Sequence, residues 1–290
     1  AKAGDPLKLD VLPQTTYLQL RTRATTLGAG EQGSLGMGME RFAPGSWQEA
    51  INVRGGLTVG AVPELSQLAI ADPARFTLTA FKEALARAGV ALRGQPRLAG
   101  TPGGARTIAT HQSPPLADIT REMLKESDNL IAETLLLQLG IKGKGGAATW
   151  EKGLATLRGY VERTGWTPES YRLSDGSGLS RYNAISPTQL TKLLNALPAQ
   201  RLAYPAFLIG LPVAGVDGTL ARRLAGPTTR GRLRAKTGSM SGVSGLAGYL
   251  ETGDGETLVV AIMTNGFLGA PTKIRQLQDA LVESLAEPTK

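Results

Sequence analysis

Hydrophobic and polar residues alternate with the two-residue period of β-strands along the first 60 residues of the chain. The alternation covers residues 7–12 and 16–21, and shorter apolar runs at 51–54 and 57–59 flank Gly55-Gly56. Glycine pairs between these runs are typical of turns. The pattern predicts a strand-rich region at the start of the chain.

A helical period replaces this alternation after residue 70. Asp72 is a suitable N-cap and Pro73 suits the first helical position, while Gly89 suits a helix end. The apolar stripe of this helix consists of Phe76, Leu78, Phe81, Leu85 and Ala88. The Pro-Gly-rich segment 101–104 then resembles a linker, and it predicts two domains, residues 1–104 and 105–290.

The second domain is predicted to mix helices with an antiparallel sheet. Ser113-Pro114-Pro115 suits a helix start, with Ser113 as the cap, and a following helix is expected to end at Gly140. Further helices are predicted at 148–164 and 186–197, strands at 231–237, 245–251 and 257–264, and a last helix at 271–285. That helix places Ile274, Leu277, Leu281 and Leu285 on one face. A meander covered by a helix indicates an α+β architecture and not a doubly wound parallel sheet.

Composition agrees with a folded protein that can bury a core. Hydrophobic residues make up 41% of the 290 residues and charged residues 19%, and the 37 Gly and 17 Pro favour turns and short strands. The chain contains no Cys, which excludes disulfides, thiol catalysis and Cys-ligated metal sites. It opens without Met and with no visible signal peptide, so we expect a processed form or a piece of a longer protein.

The formal net charge of +8 favours anionic partners. Nucleic acid, anionic lipid and an acidic cell-wall polymer are the candidate classes. Basic residues are scattered and the aromatic content is 5%, so few side chains could stack on bases. We therefore expect no nucleic-acid partner.

Two short motifs are candidates for chemistry. Ser127-Asp128-Asn129 falls between two predicted helices, and Lys236-Thr237-Gly238 ends a predicted strand, 109 residues later. Each alone has an ordinary structural explanation, as a helix cap or as part of a strand. Together, in this order, they match two of the three motifs of β-lactamases and penicillin-binding proteins.

The surrounding sequence narrows the resemblance. The runs 111–116, 123–133, 174–183, 211–220 and 234–240 resemble class C low-molecular-mass penicillin-binding proteins, the D-alanyl-D-alanine carboxypeptidase/endopeptidases. The resemblance is strong from about residue 70 to 290 and weak in the first 60. It implies a β-lactamase-like transpeptidase fold in 105–290, preceded by part of a strand-rich insertion domain in 1–104.

The resemblance implies catalytic roles for three side chains. Ser127 would relay a proton, since a hydroxyl both donates and accepts hydrogen bonds. Asn129 would hold the substrate amide through its carboxamide. Lys236 would supply positive charge, orient the substrate carboxylate and favour deprotonation of neighbouring groups.

Five further residues are implied to bind substrate. Thr237 would bond the terminal carboxylate, Gly238 would let the substrate backbone pair with the strand, and the Ser239 N–H would contribute to an oxyanion hole. Met240 and Arg181 would contact the substrate side chain, although Arg181 also fits a solvated surface charge.

The third motif of the family, Ser-x-x-Lys, is missing. No serine in the chain is followed by a lysine three residues later. The single histidine, His111, just before a predicted helix cap, does not suggest a Ser-His-Asp arrangement. We expect the nucleophile to lie upstream or on a complementary N-terminal fragment, and we expect this chain alone to be inactive.

The sequence thus leaves two functions open. One is the C-terminal part of a serine DD-peptidase that hydrolyses peptidoglycan stem peptides, is acylated by β-lactams and works without cofactor or metal. The other is a catalytically inactive relative that binds peptidoglycan or a protein non-covalently. The resemblance implies a periplasmic or other extracytoplasmic location, with peripheral membrane association left open, and it does not separate carboxypeptidase from endopeptidase action.

Overall fold

The structure, a computed structural model, describes residues 1–41, 48–94, 97 and 99–287, with only the backbone described for Arg41. The chain divides into two compact units, Ala1–Ala109 and Thr110–Lys290. Within the described ranges, no helix combines the length and the apolar character needed to cross a membrane.

The first unit is built around one long central strand. Its described elements are β1 (Leu18–Thr22), β2 (Thr25–Leu27), β3 (Leu35–Arg41), β4 (Glu49–Thr58) and α1 (Pro73–Arg87). β1 and β2 pair with β4 in parallel, whereas β3 pairs with it in an antiparallel register. Ala24, Ile51 and Val53 form the buried centre. The prediction of strands at the start of the chain is confirmed, and the two short runs around Gly55-Gly56 belong to the single strand β4.

Helix α1 follows its predicted signals closely. The Asp72 side chain accepts a hydrogen bond from the Arg75 N–H at 3.1 Å, and Pro73 occupies the first turn. Gly89, with φ of 78°, lies just beyond the helix end. A side-chain cap and a proline fix the start of this helix locally, so the sequence alone was sufficient to find it.

The strand predicted at residues 7–12 is wrong, because no strand forms there. Leu7, Leu9 and Val11 nevertheless pack against the core of the first unit. An extended segment that buries alternate side chains shows the same period as a strand, whether or not its backbone joins a sheet. Alternation of hydrophobic and polar residues therefore indicates that one side of an extended segment is buried, but not that its backbone forms hydrogen bonds with a neighbouring strand.

The second unit combines helices with an antiparallel meander. Its described helices are α2 (Leu116–Glu126), α3 (Asn129–Lys144), α4 (Trp150–Arg163), α5 (Pro187–Ala196), α6 (Tyr204–Gly210) and α7 (Thr272–Ala286). Its described strands are β5 (Leu233–Met240), β6 (Val243–Glu251) and β7 (Thr257–Asn265), in the order β5-β6-β7. The predicted α+β class is confirmed. Strand β5 starts two residues later and ends three residues later than predicted, so the Lys236 motif lies inside the strand and not at its end.

Two predicted helix boundaries need correction. Ser113 does not cap α2, because the helix starts at Leu116 with Pro115 at the cap position and no side-chain cap. Helix α3 does not stop at Gly140 but continues to Lys144. A Cβ on Gly140 would lie 2.9 Å from the Gly153 nitrogen of α4, so this glycine permits close packing of two helices and does not end one.

The predicted face of the last helix is also wrong. α7 buries Gln278, Val282 and Ala286 against the core of the sheet, while Leu277, Leu281 and Leu285 are exposed. Gln278 can occupy a core position because its side chain exchanges hydrogen bonds with Ser244 on β6. A polar residue with buried partners is invisible to a purely hydrophobic pattern.

Candidate active site

Ser127 lies in the short turn between α2 and α3 in an unusual backbone conformation. Its φ of 58° and ψ of 46° fall in the left-handed region, which non-glycine residues adopt at a cost. The next residue, Asp128, caps α3 by accepting a hydrogen bond from the Ile131 N–H at 2.9 Å. The capping explanation of this motif therefore applies to Asp128, and the Ser127 hydroxyl is available for another contact.

That contact is with Lys236. The Lys236 ammonium donates a hydrogen bond to Ser127 Oγ at 2.6 Å and another to the Thr237 carbonyl at 2.7 Å. No carboxylate in the described part of the chain pairs with this lysine. Burial lowers the pKa of Lys236 below its usual value of 10.5, because desolvation disfavours the charged form.

The end of α2 is fixed relative to the loop that precedes β5. Lys125, two residues before Ser127, donates to both carboxylate oxygens of Asp217 at 2.7 Å and to the Leu211 carbonyl at 2.6 Å. Asp217 also accepts a hydrogen bond from the Val213 N–H at 2.8 Å. Sequence reasoning missed this pair, since the two residues are 92 positions apart and lie in two separate runs of the family resemblance, with nothing to pair them.

Strand β5 lies at one edge of the sheet. On its outer side the Ala235 N–H donates to the Pro212 carbonyl, and beyond that point no described backbone group pairs with this edge. Strand parity places the Thr237 and Ser239 N–H groups on the same outer side as that of Ala235. A Cβ placed on Gly238 would meet no atom within 4 Å. The edge is therefore open to an added peptide backbone.

The other predicted residues lie along this edge or face it. The Thr237 hydroxyl donates to Thr219 Oγ1 at 2.8 Å, and Ser239 Oγ accepts from Arg275 on α7 at 3.0 Å. Arg181 donates from Nη2 to the carbonyl of Ser241, the residue after Met240, at 2.9 Å. Thr219 lies in the run 211–220 that carries the family resemblance, but no role was assigned to it, and Arg275 carried no recognisable sequence signal.

A cleft of about 340 Å³ opens beside Ser127, Asn129 and Lys236. Gly176 and Ser177 line it from a different loop, and the leucines of α3 form an apolar wall. Asn129, the first residue of α3, is exposed, and its carboxamide makes no hydrogen bond among the described residues. The structure thus brings the three predicted catalytic residues to one cleft, whereas Thr237, Gly238, Ser239 and Met240 continue from it along β5.

Glu133, the last residue of the run 123–133, is a further residue of this region to which the sequence assigned no role. Its carboxylate accepts hydrogen bonds from the Gly176 and Ser177 N–H groups and from the Trp150 indole. Burial acts to raise its pKa, but these hydrogen bonds outweigh burial and lower it below the usual value. Glu133 follows Asn129 by four residues on α3, so the sequence spacing alone could have placed the two side chains on the same face of the helix.

The arrangement has two features that acyl transfer requires, and no nucleophile is identified in it. A hydroxyl with a cation next to it can move a proton, and an open strand edge can hold an extended peptide. In the described residues no group of three or more His, Cys, Asp or Glu side chains could hold a metal ion.

Comparison with known proteins gives a consistent result. Residues 1–287 match the model of the D-Ala-D-Ala carboxypeptidase 3 (S13) family. The chain is 34% identical to a D-alanyl-D-alanine carboxypeptidase of an Actinomadura species, over 99% of this chain and 53% of that protein. It is 31% identical to the D-alanyl-D-alanine carboxypeptidase DacB of Haemophilus influenzae, over 63% of this chain and 38% of that protein.

A solved structure extends the likeness to the fold. Penicillin-binding protein 4 of Haemophilus influenzae superposes with a TM-score of 0.77 and 24% identity, covering 99% of this chain and 64% of that one. Its structure complexed with a β-lactam gives a TM-score of 0.74. The penicillin-binding fold implied by the motifs is therefore confirmed. The chain spans about half the length of the Actinomadura relative.

Proposed function

Since the chain belongs to the D-Ala-D-Ala carboxypeptidase 3 (S13) family, we propose that it forms the C-terminal part of a serine D-Ala-D-Ala carboxypeptidase/endopeptidase. Its substrates would be peptidoglycan stem peptides, and β-lactams would acylate it. The observation that carries the proposal is the 2.6 Å hydrogen bond between Lys236 and Ser127 beside an open strand edge. A protein that acts on peptidoglycan would work outside the cytoplasmic membrane, in the periplasm or another extracytoplasmic space.

Each residue then has a step in the reaction. A serine outside this chain attacks the carbonyl carbon of the D-Ala-D-Ala bond, and the Ser239 N–H stabilises the oxyanion. The attacking serine passes its proton to the lysine of its Ser-x-x-Lys motif, which also lies outside this chain. As the bond to the terminal D-Ala breaks, the Ser127 hydroxyl passes a proton to the leaving amine and takes one back from that lysine. Water then hydrolyses the acyl ester and regenerates the serine. Asn129 holds the substrate amide through these steps.

Lys236 favours the anionic states of this reaction. Its lowered pKa follows from burial, so it carries a poorly solvated charge next to the proton-relay hydroxyl. A poorly solvated cation interacts more strongly with a developing negative charge than a hydrated one does. Thr237 and Gly238, next along the strand, would take the terminal carboxylate and the substrate backbone.

The two units would belong to two different domains of the whole protein. We assign residues 1–104 to part of a strand-rich insertion domain and residues 105–290 to the peptidase domain without its Ser-x-x-Lys segment. The four-stranded sheet of the first unit supports this assignment, as does a family match that extends over both units.

Labelling with a fluorescent penicillin tests the proposal. The 290-residue chain alone should form no covalent adduct, and the full-length protein with its Ser-x-x-Lys segment should form one. In the full-length protein, K236M and S127A should slow acylation by roughly 10²-fold or more. K142M, which removes an exposed lysine from α3, serves as the matched control.

A stable adduct on the isolated chain would show that the nucleophile lies within it and contradict this division of the site. A second candidate function is that of an inactive relative that binds peptidoglycan non-covalently. The missing Ser-x-x-Lys motif is the one observation that favours it. It predicts binding of peptidoglycan without any acylation, even in the full-length protein.

A further inference from the structure

The loop of residues 174–183, which contributes Gly176 and Ser177 to the cleft beside Ser127, is held together internally. Arg172 and Ala184 close its base with two backbone hydrogen bonds of 2.8 and 2.9 Å. Inside the loop, the Asp175 carboxylate accepts hydrogen bonds from the Ser180 N–H at 2.6 Å and from the Asn183 side chain at 2.8 Å. The loop should therefore move as one piece.

Two contacts fix this piece to different parts of the second unit. Glu133 on α3 accepts hydrogen bonds from the Gly176 N–H at 3.1 Å and the Ser177 N–H at 2.9 Å. At the far end, Arg181 donates to the Ser241 carbonyl at 2.9 Å, in the turn between β5 and β6. The loop thus connects the helix that carries Asn129 to the end of the strand that carries Lys236.

The contact with α3 is closely fitted. A Cβ on Gly176 would lie 2.8 Å from the Ala132 carbonyl oxygen and 3.0 Å from Leu136 Cβ. The second oxygen of Glu133 accepts a hydrogen bond from the Trp150 indole at 2.9 Å. Both carboxylate oxygens are therefore occupied, one by the loop and the other by Trp150 of α4, which leaves Glu133 poorly suited to act as an acid or a base.

From this geometry we infer that Glu133 is a positioning residue, which holds the 174–183 loop so that Arg181 stands beside Met240 to meet the substrate side chain. The inference rests on the proposed function. Glu133 itself touches neither the hydroxyl nor the ammonium group of the Ser127–Lys236 pair. Its loss should therefore affect recognition of the residue that precedes D-Ala-D-Ala and not acylation itself.

The test compares two substrates in the full-length protein. They are peptides ending in D-Ala-D-Ala that differ only in the preceding residue, which has a long polar side chain in one and is alanine in the other. In E133A, KM should rise about tenfold for the long side chain and change by less than about twofold for alanine, because the charge-assisted hydrogen bonds that hold the loop are lost. Acylation by fluorescent penicillin should also stay within about twofold of the unmodified rate.

Two further variants make the result specific. E133Q keeps an oxygen acceptor but loses the charge, so the KM for the peptide with the long side chain should rise about threefold. If E133A does not fold, E133Q is used in its place. E151A and E151Q remove an exposed carboxylate from the neighbouring helix α4 and should leave both peptides unchanged.

The outcomes separate this inference from the proposed function. If the unmodified protein is acylated but the KM ratio of the two peptides is the same in E133A, the role of Glu133 is wrong and the proposed function stands. The same holds if E133A slows the reaction with both peptides and with penicillin equally. Absence of acylation in the unmodified full-length protein would overturn the proposed function, and this inference with it.

Discussion

The hydrogen bond between Ser127 and Lys236 can be measured as a coupling energy in this chain without any catalytic assay. The perturbations are S127A, K236M and the double variant. Alanine is preferred to glycine at position 127, because alanine and serine bear a similar cost in the left-handed conformation and the backbone contribution then cancels. The cycle isolates the side-chain contact.

The expected magnitude follows from the surroundings of the pair. A hydrogen bond to a charged group contributes about 1.5–3 kcal/mol, and the half-burial of both side chains places this one near the lower limit of about 1.5 kcal/mol. S127A should therefore cost about 1.5 kcal/mol when Lys236 is present and close to nothing in the K236M background. K236M alone should be neutral or stabilising, because it removes a poorly solvated charge.

Urea unfolding followed by helical circular dichroism is the appropriate assay, since six of the seven described helices belong to the second unit. The pair S127A and K142M provides the additive control. A Ser127–Lys236 coupling below about 0.5 kcal/mol, the usual error of additivity, would refute the view that this contact is an energetically significant pair.

Three further predictions concern single features of the two units. D128A should destabilise the second unit by about 1 kcal/mol in the same unfolding assay, because the α3 N-cap is lost, while D118A on α2 should have a smaller effect. G140A should cost about 1–3 kcal/mol through its clash with the Gly153 nitrogen, whereas G226A, with no atom near its added Cβ, should cost little; equal effects would contradict the packing argument. Burial, followed by the hydrogen bond to Glu49, raises the pKa of Tyr17 from 10.0 to about 12. As the pH rises, the unfolded chain therefore loses the Tyr17 proton before the folded chain does. The contribution of Tyr17 to the free energy of unfolding is complete below pH 10 and is lost as the pH rises towards 12. Y17F should therefore show a smaller fall in stability between pH 10 and 12.

Local signals in the sequence were sufficient where a helix or strand is fixed by its own residues. Ser186 and Gln189 form a reciprocal capping box at the start of α5, and the predicted start of that helix is correct. The meander was found for a similar reason, because alternation and a Gly-rich turn coincide at 252–255. In these places, local preference and the final fold agree.

The sequence failed where tertiary contacts decide. Gly140 resembled a helix end, but it is a close contact between α3 and α4. Gln278 lies outside the apolar face predicted for α7, but it is buried with Ser244 as its partner. In the candidate site, the motifs identified Ser127 and Lys236, and the structure brings them together, while their catalytic roles stay predictions. The Glu133 contacts could not be derived, because they depend on a loop more than 40 residues away.

Three features that each reduce stability meet at one place in the second unit. Ser127 adopts a left-handed conformation, Lys236 is desolvated without a carboxylate partner in the described residues, and the outer edge of β5 is open beyond Ala235. A well-packed domain gains nothing from any of them, since glycine, methionine and a paired strand would each be less costly there. Strain and unpaired groups that gather around one cleft are typical of sites selected for chemistry. This convergence supports a catalytic origin of the site independently of the motif match. It also accounts for the predicted neutral or stabilising effect of K236M on this chain, although the same substitution should slow acylation in the full-length protein.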